Sequence, residues 1–481
     1  MFEKNYLKKT FLQIGFPKII SFVLGFVSFP LMINAVGLTD YGIYIYISSL
    51  VILVEAFMDF GITSAWGKHC SSLRTSKINV ENHYFLWMLC QIVFAVTILF
   101  ICLLISYNIN IDNKLIFIYV LLTLFFGVFH NFQKSTLNSL LYFKLVARID
   151  LIESVFRTLI YLLVAFFYKS VETMALLFLF SCIMLLLISS LMIFIKVIDK
   201  NFINNEFNKI DQLKFIFSQS VMFLWLRLST RFFHEIPVII LRNYTNDYLV
   251  GLLGSMRKFI EYLTIPFSII GNILMIRSKE LILAKKNKIL LENLNMIIFF
   301  VIFFIPLILL FENIIIDSFF DSYNLSMPLI PLVIFYLISH IMFSLYAPVS
   351  DYLGALKQRN YFLTIMVVIT TAILLTTSFL NQNHLLLIPL IVLMNFILAF
   401  GYYLISKKII LQNFKLKKIS KSETLLINQF ILTLCFFTFK FLFEDLLNVN
   451  YIYIIFLILF FTNFKFHNAF IFKYLKGLKA I

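Results

Sequence analysis

Charge is scarce in this chain of 481 residues, of which only 13% are Asp, Glu, Lys or Arg. This is about half the share that is usual in soluble domains. The longest hydrophilic stretch, residues 196–214, is too short to bury a core of its own, so no soluble domain is predicted. Lys and Arg outnumber Asp and Glu by 40 to 24. They are spread along the whole chain, which excludes the clustered basic face that nucleic-acid binding requires.

Cysteines and catalytic motifs are equally sparse. The five cysteines form no close pair, so neither a disulfide framework nor a metal site is predicted. The seven histidines include no HExxH motif, and the chain has no Walker loop, dinucleotide fingerprint or GxSxG. We therefore expect no ATP hydrolysis, no cofactor and no catalytic residue. These absences favour a transporter over an enzyme.

Fourteen apolar stretches fill the sequence instead, and we interpret each as a transmembrane helix. The predicted spans are 11–36, 43–67, 84–107, 115–133, 150–168, 172–195, 215–241, 247–276, 289–316, 326–350, 361–380, 385–405, 425–443 and 451–464. If the N-terminus is cytoplasmic, 30 Lys and Arg fall in cytoplasmic segments and 3 in outer ones. Because basic residues resist translocation, this bias predicts a multi-pass bacterial inner-membrane protein with both termini in the cytoplasm.

An internal repeat relates two parts of the chain. Pro30 precedes Asp40-Tyr41 by the same interval at which Pro237 precedes Asp247-Tyr248, an offset of six spans. Parallel repeats of this kind place substrate sites at the interface between the halves.

The predicted fold is therefore an all-α polytopic membrane protein of about 14 transmembrane helices. Two parallel six-helix repeats form two lobes around a central cavity, and two C-terminal helices are appended. The predicted divisions are an N-terminal lobe (1–210), a C-terminal lobe (211–410), and the appended helices with a basic tail (411–481).

Charged residues inside the spans are the chemistry that the sequence offers. Arg227 and Arg231 lie near the centre of one span, and Arg257 lies in the next. Each would cost about 2.5–3.5 kcal/mol if it faced lipid, so all three are predicted to face protein or water. Arg227, Arg231 and Glu235 follow at intervals of four, with His234 on the same stripe.

The remaining charged candidates lie on corresponding helices of the two halves. Glu55 and Asp59 are four residues apart, as are Arg257 and Glu261, and Lys18 lies in the first span. The spans hold more basic than acidic residues, which indicates an anionic head group, and guanidinium groups suit phosphate. The cationic candidates for substrate binding are Lys18, Arg227, Arg231 and Arg257. The acidic candidates for ion coupling or for ion pairs within the cavity are Glu55, Asp59, Glu235 and Glu261.

A structural interpretation stays open beside the functional one, since these charges can also be ion pairs that only hold helices together. Glu153 and Arg157 are interpreted as structural or snorkelling residues. Among the many aromatic residues, Trp225 and Tyr262 are candidates for stacking on sugars, but the sequence does not single them out.

The segment Pro30–Ile43, followed by Asp59-Phe60-Gly61-Ile62, resembles the polysaccharide flippases (Wzx-type) of the multidrug/oligosaccharidyl-lipid/polysaccharide exporter superfamily. The residues that carry the resemblance are Gly37, Asp40, Tyr41, Gly42, Asp59 and Gly61. It implies a flippase for an undecaprenyl-diphosphate-linked oligosaccharide, the repeat unit of an O-antigen or capsule. Implied partners are membrane lipids and the polymerase and chain-length regulator of the same pathway. The extra pair of spans departs from many members.

Three alternatives compete with the function that this resemblance implies. A polysaccharide polymerase or ligase typically carries a large outer loop with catalytic Arg or His, whereas the longest outer loop here, 317–325, has neither. A drug/cation antiporter should have an acid-dominated cavity. A lipid II flippase also has fourteen spans and a cationic cavity, and the sequence leaves it open.

Overall fold

The computed structural model describes residues 4–75, 80–108, 113–197, 209–262, 264, 356–380 and 387–414. The described residues are helical throughout, apart from short connections, and contain no strand. Four predicted spans, 289–316, 326–350, 425–443 and 451–464, lie outside them. The total of fourteen helices, the two-lobe repeat and the three domain divisions therefore remain predictions.

Eleven helices follow one another along the described chain, and several differ from the predicted spans by five residues or more at one end or both. They are α1 Lys4–Val36, α2 Leu38–Asp59, α3 Ile62–Thr75, α4 Glu81–Asn108, α5 Lys114–Ser139, α6 Phe143–Leu163, α7 Val171–Val197, α8 Lys209–Tyr244, α9 (residues 247–262), α10 Leu356–Leu380 and α11 Leu387–Phe414. A π-helical turn, Val164–Tyr168, continues α6.

Seven helical stretches among the described residues are long and apolar enough to cross a membrane. They are Pro17–Val36, Leu38–Asp59, His83–Tyr107, Lys114–Ser139, Phe143–Tyr168, Val171–Ile195 and Gln358–Phe379. The chain is therefore a multi-pass membrane protein. Helix α8, with 36 residues, is also long enough, but the charges in its middle set it apart from the apolar group. Those charges contact other helices.

The predicted span 43–67 proves to be discontinuous. Helix α2 ends at Asp59, Phe60 and Gly61 adopt left-handed conformations with φ of 48° and 72°, and α3 begins at Ile62. The Phe60 N–H still bonds to the Ala56 carbonyl, which closes the last turn of α2. Hydrophobicity continues across the break, so periodicity did not reveal it. Glycine tolerates this conformation because it has no Cβ.

An aromatic core fixes α3 against α4 and α5. Trp66, Trp87 and Phe132 are almost fully buried there. The Trp66 indole N–H donates to Thr136 Oγ1 at 2.8 Å, which satisfies its one polar atom. This anchoring fixes the direction of the chain immediately after the break at Gly61.

The backbones of α2 and α9 approach closely at the ends where both helices begin. A Cβ at Gly42 would lie 1.8 Å from the Asp247 carbonyl oxygen, and one at Gly251 would lie 1.9 Å from that of Leu38. Only glycine permits this spacing. The two segments in contact are those that the sequence repeat relates.

The contacts divide the chain into two compact units. One comprises Lys9–Ile265 and Asn360–Ile391, and it holds every charged residue proposed from the sequence. In the described part of the other unit, the Arg359 guanidinium lies over the Tyr402 ring at 5.6 Å.

Candidate functional site

Two carboxylates and two guanidinium groups meet where α2 packs on α8. Arg227 donates from Nη2 to Glu55 Oε1 at 2.5 Å and from Nη1 to Asp59 Oδ2 at 2.6 Å. Arg231, one turn further along α8, donates to the second oxygen of Glu55 at 3.2 Å. The intervals of four residues on both helices produce this register, since they place both members of each pair on one face. We call these four residues the α2–α8 charge cluster.

The acidic side chains of this cluster are more deeply buried than the basic ones. The side chain of Asp59 is 0% exposed and that of Glu55 is 4% exposed, against 19% for Arg227 and 36% for Arg231. Two positive and two negative charges cancel. Such a buried cluster is costly to desolvate, and the loss of one partner leaves an uncompensated charge. The cluster therefore links α2 to α8 tightly in this conformation.

The break after α2 positions Asp59 within the cluster. Thr63 in the first turn of α3 donates a hydrogen bond from Oγ1 to Asp59 Oδ1. A Cβ at Gly61 would lie 2.4 Å from the Leu224 nitrogen and from the Ser220 carbonyl oxygen, so α8 packs directly on the glycine backbone. This close approach brings the guanidinium of Arg227 within reach of both carboxylates.

A second interaction joins α8 to α9. Arg257 donates from Nη2 to the His234 carbonyl at 2.6 Å, and its Nη1 lies 3.9 Å from Glu235 Oε2. Glu261 pairs instead with Lys258, at 2.7 Å. These contacts place Arg257 and Glu235 together and give Glu261 a separate partner.

A further group of charges lies where α1, α5 and α6 meet. Lys134 forms ion pairs with Asp150 and with Glu153, the latter at 3.3 Å, and Arg157 donates to Glu153 at 2.8 Å. Sequence reasoning missed Lys134 and Asp150 because both lie at predicted span ends. The intervals of three and four among Asp150, Glu153 and Arg157 were the available signal.

Lys18 differs from the other proposed cations. Among the ion pairs of the described residues, none includes Lys18, although Asp150 and Lys134 are its electrostatic neighbours. The structure thus places four of the eight proposed residues in one cluster, two in the α8–α9 contact, and Lys18 and Glu261 elsewhere. Their roles in transport stay hypotheses. Of the two aromatic candidates, Trp225 is 55% exposed on the surface of its unit, whereas Tyr262 is buried.

A histidine pair connects α3 to the start of α4. His69 Nε2 lies 3.3 Å from His83 Nδ1, and the His69 ring stacks on Trp87. Burial, together with the neighbouring His83, lowers the pKa of His69 to about 4. His69 is therefore neutral at physiological pH. Among the described residues, no three His, Cys, Asp or Glu side chains converge as metal ligands.

The architecture by itself indicates the class of protein. A multi-pass bundle whose intramembrane charges face one another fits a transporter, because such charges commonly mark substrate or ion pathways. Residues 7–278, more than half of the chain, match the protein family described as "Polysaccharide biosynthesis protein". The chain belongs to this family. No curated protein matches the sequence significantly.

Solved structures agree with that class of fold. The lipid II flippase MurJ in an inward closed conformation is similar with a TM-score of 0.61 and 13% identity, covering 96% of this chain and 99% of its own. The eukaryotic MATE transporter AtDTX14 is similar with a TM-score of 0.57 and 11% identity, and the match covers 88% of this chain and 98% of that transporter. The MATE transporter VcmN of Vibrio cholerae, in its bent form, is similar with a TM-score of 0.51 and 12% identity. That match covers 85% of this chain and 98% of VcmN. The fold is thus that of MurJ and the MATE transporters.

Proposed function

We propose that this protein is a flippase that moves undecaprenyl-diphosphate-linked oligosaccharide repeat units, of an O-antigen or a capsule, from the cytoplasmic to the periplasmic leaflet by alternating access. The observation that carries the proposal is the α2–α8 charge cluster. It supplies two guanidinium groups suited to a diphosphate, and in the present conformation carboxylates of the chain occupy both. Membership of a polysaccharide biosynthesis family supports the saccharide part of the substrate.

Competition for the same guanidinium groups gives the proposed mechanism. Both Nη atoms of Arg227 pair with carboxylates, one with Glu55 and the other with Asp59. A diphosphate can therefore bind Arg227 only after these carboxylates move away. Charge-assisted hydrogen bonds to phosphate then replace those to carboxylate at similar strength. Closure of the α2–α8 contact and binding of the substrate head group are thus mutually exclusive, and the ligand shifts the conformational equilibrium by its preference for the open form.

Lys18 makes the first contact with the head group in this scheme, because no carboxylate in the described residues forms an ion pair with it. Arg227, Arg231 and Arg257 bind the diphosphate as the cavity opens. Glu55, Asp59, Glu235 and Glu261 are the candidates to take up protons when their basic partners turn to the substrate. The saccharide and diphosphate would cross inside the cavity while the polyprenyl tail stays among membrane lipids.

We also propose a cellular location and a membrane orientation for this protein. The protein lies in the bacterial inner membrane with both termini cytoplasmic, as the distribution of Lys and Arg predicts. The pathway's polymerase and chain-length regulator would receive the translocated repeat unit. A lipid II flippase is the second candidate, since the fold is similar to that of MurJ over nearly the whole chain.

Deletion of the gene, followed by analysis of lipid-linked intermediates on each side of the membrane, tests the proposal. We expect loss of surface polysaccharide and retention of single undecaprenyl-diphosphate-linked repeat units in the cytoplasmic leaflet. Accumulation of lipid II there would select the second candidate. Unpolymerised repeat units at the cell surface would show that translocation is intact, and would favour a polymerase or ligase instead.

Complementation with variants then tests the site. Arg227→Gln should fail to restore surface polysaccharide. Arg242→Gln is the matched control, since Arg242 lies on the same helix and pairs with Asp247 near the end of α8. Equal activity of the two variants would remove the α2–α8 charge cluster from the mechanism.

A further inference from the structure

Six aromatic rings from five helices form one continuous group at the junction of α1, α2, α6, α7 and α9. They are Phe29, Tyr41, Tyr44, Tyr161, Phe178 and Tyr262. Neighbouring ring centroids lie 5.8–6.5 Å apart. We call this group the aromatic junction. Its inner rings are buried in the present conformation.

Tyr262 is the ring that α9 contributes across the junction. Its side chain rests directly on Gly25 of α1, where a Cβ would lie 2.1 Å from the Tyr262 ring. Its ring centroid is 6.0 Å from that of Phe29, and it is only 3% exposed. Gly25 thus forms a notch that a phenol ring fills. Any separation of α9 from α1 would empty this notch.

Hydroxyl groups distinguish the aromatic junction from ordinary apolar packing. Phe outnumbers Tyr by 59 to 23 in the chain, yet four of these six rings are tyrosines. The Tyr44 side chain neighbours that of Ser48, and the Tyr161 side chain neighbours that of Tyr262. A buried hydroxyl costs free energy unless it is hydrogen-bonded, and the Tyr262 hydroxyl is buried without a well-formed hydrogen bond among the described residues. The tyrosines indicate that the rings also meet a polar ligand.

Charged side chains border the aromatic junction next to Tyr262. Arg157, Lys258 and Glu261 are its electrostatic neighbours. The Glu261 side chain is 53% exposed and that of Lys258 is 27% exposed. Charges at membrane depth face protein or water and not lipid. We call Arg157, Lys258 and Glu261 the charged border, and these side chains are expected to face protein or water.

Flat rings, phenol hydroxyls and charged hydrogen-bonding groups together match one ligand chemistry. A pyranose has an apolar C–H face that packs on an aromatic ring and an equatorial belt of hydroxyls that bonds to charged side chains. A purely apolar ligand would leave the hydroxyls and charges without partners. A small inorganic ion would make no use of the rings.

We propose that the aromatic junction is a saccharide subsite in which Tyr262, Tyr161 and the charged border receive a sugar ring of the substrate when α9 separates from α1. This inference rests on the proposed function and deepens it, because it assigns the sugar to residues apart from those that bind the diphosphate. In the present conformation the Tyr262 ring lies over Gly25 and closes the subsite.

Binding of two probe lipids to the purified full-length protein tests the subsite. The probes are undecaprenyl diphosphate and undecaprenyl diphosphate that carries one N-acetylhexosamine. The variants are Tyr262→Leu, which removes the ring, and Tyr262→Phe, which keeps the ring and removes the hydroxyl. Phe259→Leu is the matched control, since Phe259 is equally buried on the same helix and contacts Phe26.

We expect Tyr262→Leu to weaken binding of the glycosylated probe about tenfold and Tyr262→Phe about threefold, while binding of undecaprenyl diphosphate stays within about twofold. Phe259→Leu should leave the ratio of the two affinities unchanged. Equal loss for both probes, or no loss for either, would overturn the saccharide subsite and leave the flippase standing. Tyr262→Phe decides the question if Tyr262→Leu does not fold. Failure of the wild-type protein to bind either probe would overturn the proposed function, and this inference with it.

Discussion

Arg227 and Asp59 are 168 residues apart in sequence, and the guanidinium Nη1 of the first lies 2.6 Å from Oδ2 of the second. The same guanidinium reaches Glu55 through Nη2. One arginine on α8 thus spans two acidic residues on successive turns of α2. Arg227 thereby neutralises the carboxylate of Asp59, whose side chain is fully buried.

Asp59→Asn and Arg227→Gln should each destabilise the protein, by about 3–5 kcal/mol, because each leaves an uncompensated buried charge. The double variant should lose less than the sum of the two, with a coupling of about 0.5–3 kcal/mol. Thermal unfolding of the four proteins in detergent measures this cycle. Arg231→Gln is the control. The Arg231–Glu55 distance is longer than the Arg227 distances, and the Arg231 side chain is more exposed than that of Arg227. We therefore expect Arg231→Gln to lower the free energy of unfolding by less than about 1 kcal/mol. Strict additivity of the two single changes would contradict the pairing.

Gly61→Ala should abolish folding or transport. Residue 61 has a φ of 72°, and the new Cβ would lie 2.4 Å from backbone atoms of α8. Gly127→Ala is the matched control, because its Cβ would meet only Cys182 Sγ at 3.8 Å. That change lies within α5 and should be neutral or stabilising by up to about 1 kcal/mol. Folded yield from membranes is the measurement, and a normal yield of Gly61→Ala would contradict the close α2–α8 packing.

Lys18→Gln should separate stability from function. Since none of the ion pairs of the described residues involves Lys18, its removal leaves no carboxylate stranded in an ion pair. We expect the thermal midpoint in detergent to stay close to that of the wild type, while surface polysaccharide in the complemented deletion strain falls severalfold. Lys18→Arg should restore activity, because the positive charge is kept. A large loss of stability in Lys18→Gln would show instead that this residue has a structural role.

His69 should make stability depend on pH below neutrality. Its pKa is about 4 in the folded protein and about 6.5 when unfolded, so the unfolded chain binds the proton first as the pH falls. The His69 contribution is complete above pH 6.5 and is lost between about pH 6.5 and 4. Thermal unfolding across this range measures the effect.

Substitution of His69 by Gln removes the titrating group and should flatten that part of the profile. His83 lies beside it and still titrates, so a residual slope is expected in the variant. An identical slope in the wild type and in His69→Gln would show that the imidazole of His69 is not responsible.

Helical periodicity predicted part of the candidate site. The interval of four residues between Glu55 and Asp59, and again between Arg227 and Arg231, indicated two charged faces, and the structure places these faces against each other. The sequence could not show which carboxylate each arginine meets, because the partners lie on helices far apart in the chain. It also missed Lys134, whose ion pairs with Asp150 and Glu153 form only once α5 and α6 pack.

The amino-acid sequence by itself determined that this protein crosses a membrane several times and has no conspicuous nucleotide or metal motif. Apolar segment length and basic residues in short connections are local properties, so they need no tertiary information. Tertiary structure decided the break at Phe60-Gly61, the neutral pairing in the α2–α8 charge cluster and the burial of Tyr262 over Gly25. Each depends on the close approach of two helices, where missing Cβ atoms and desolvated charges set the free energy.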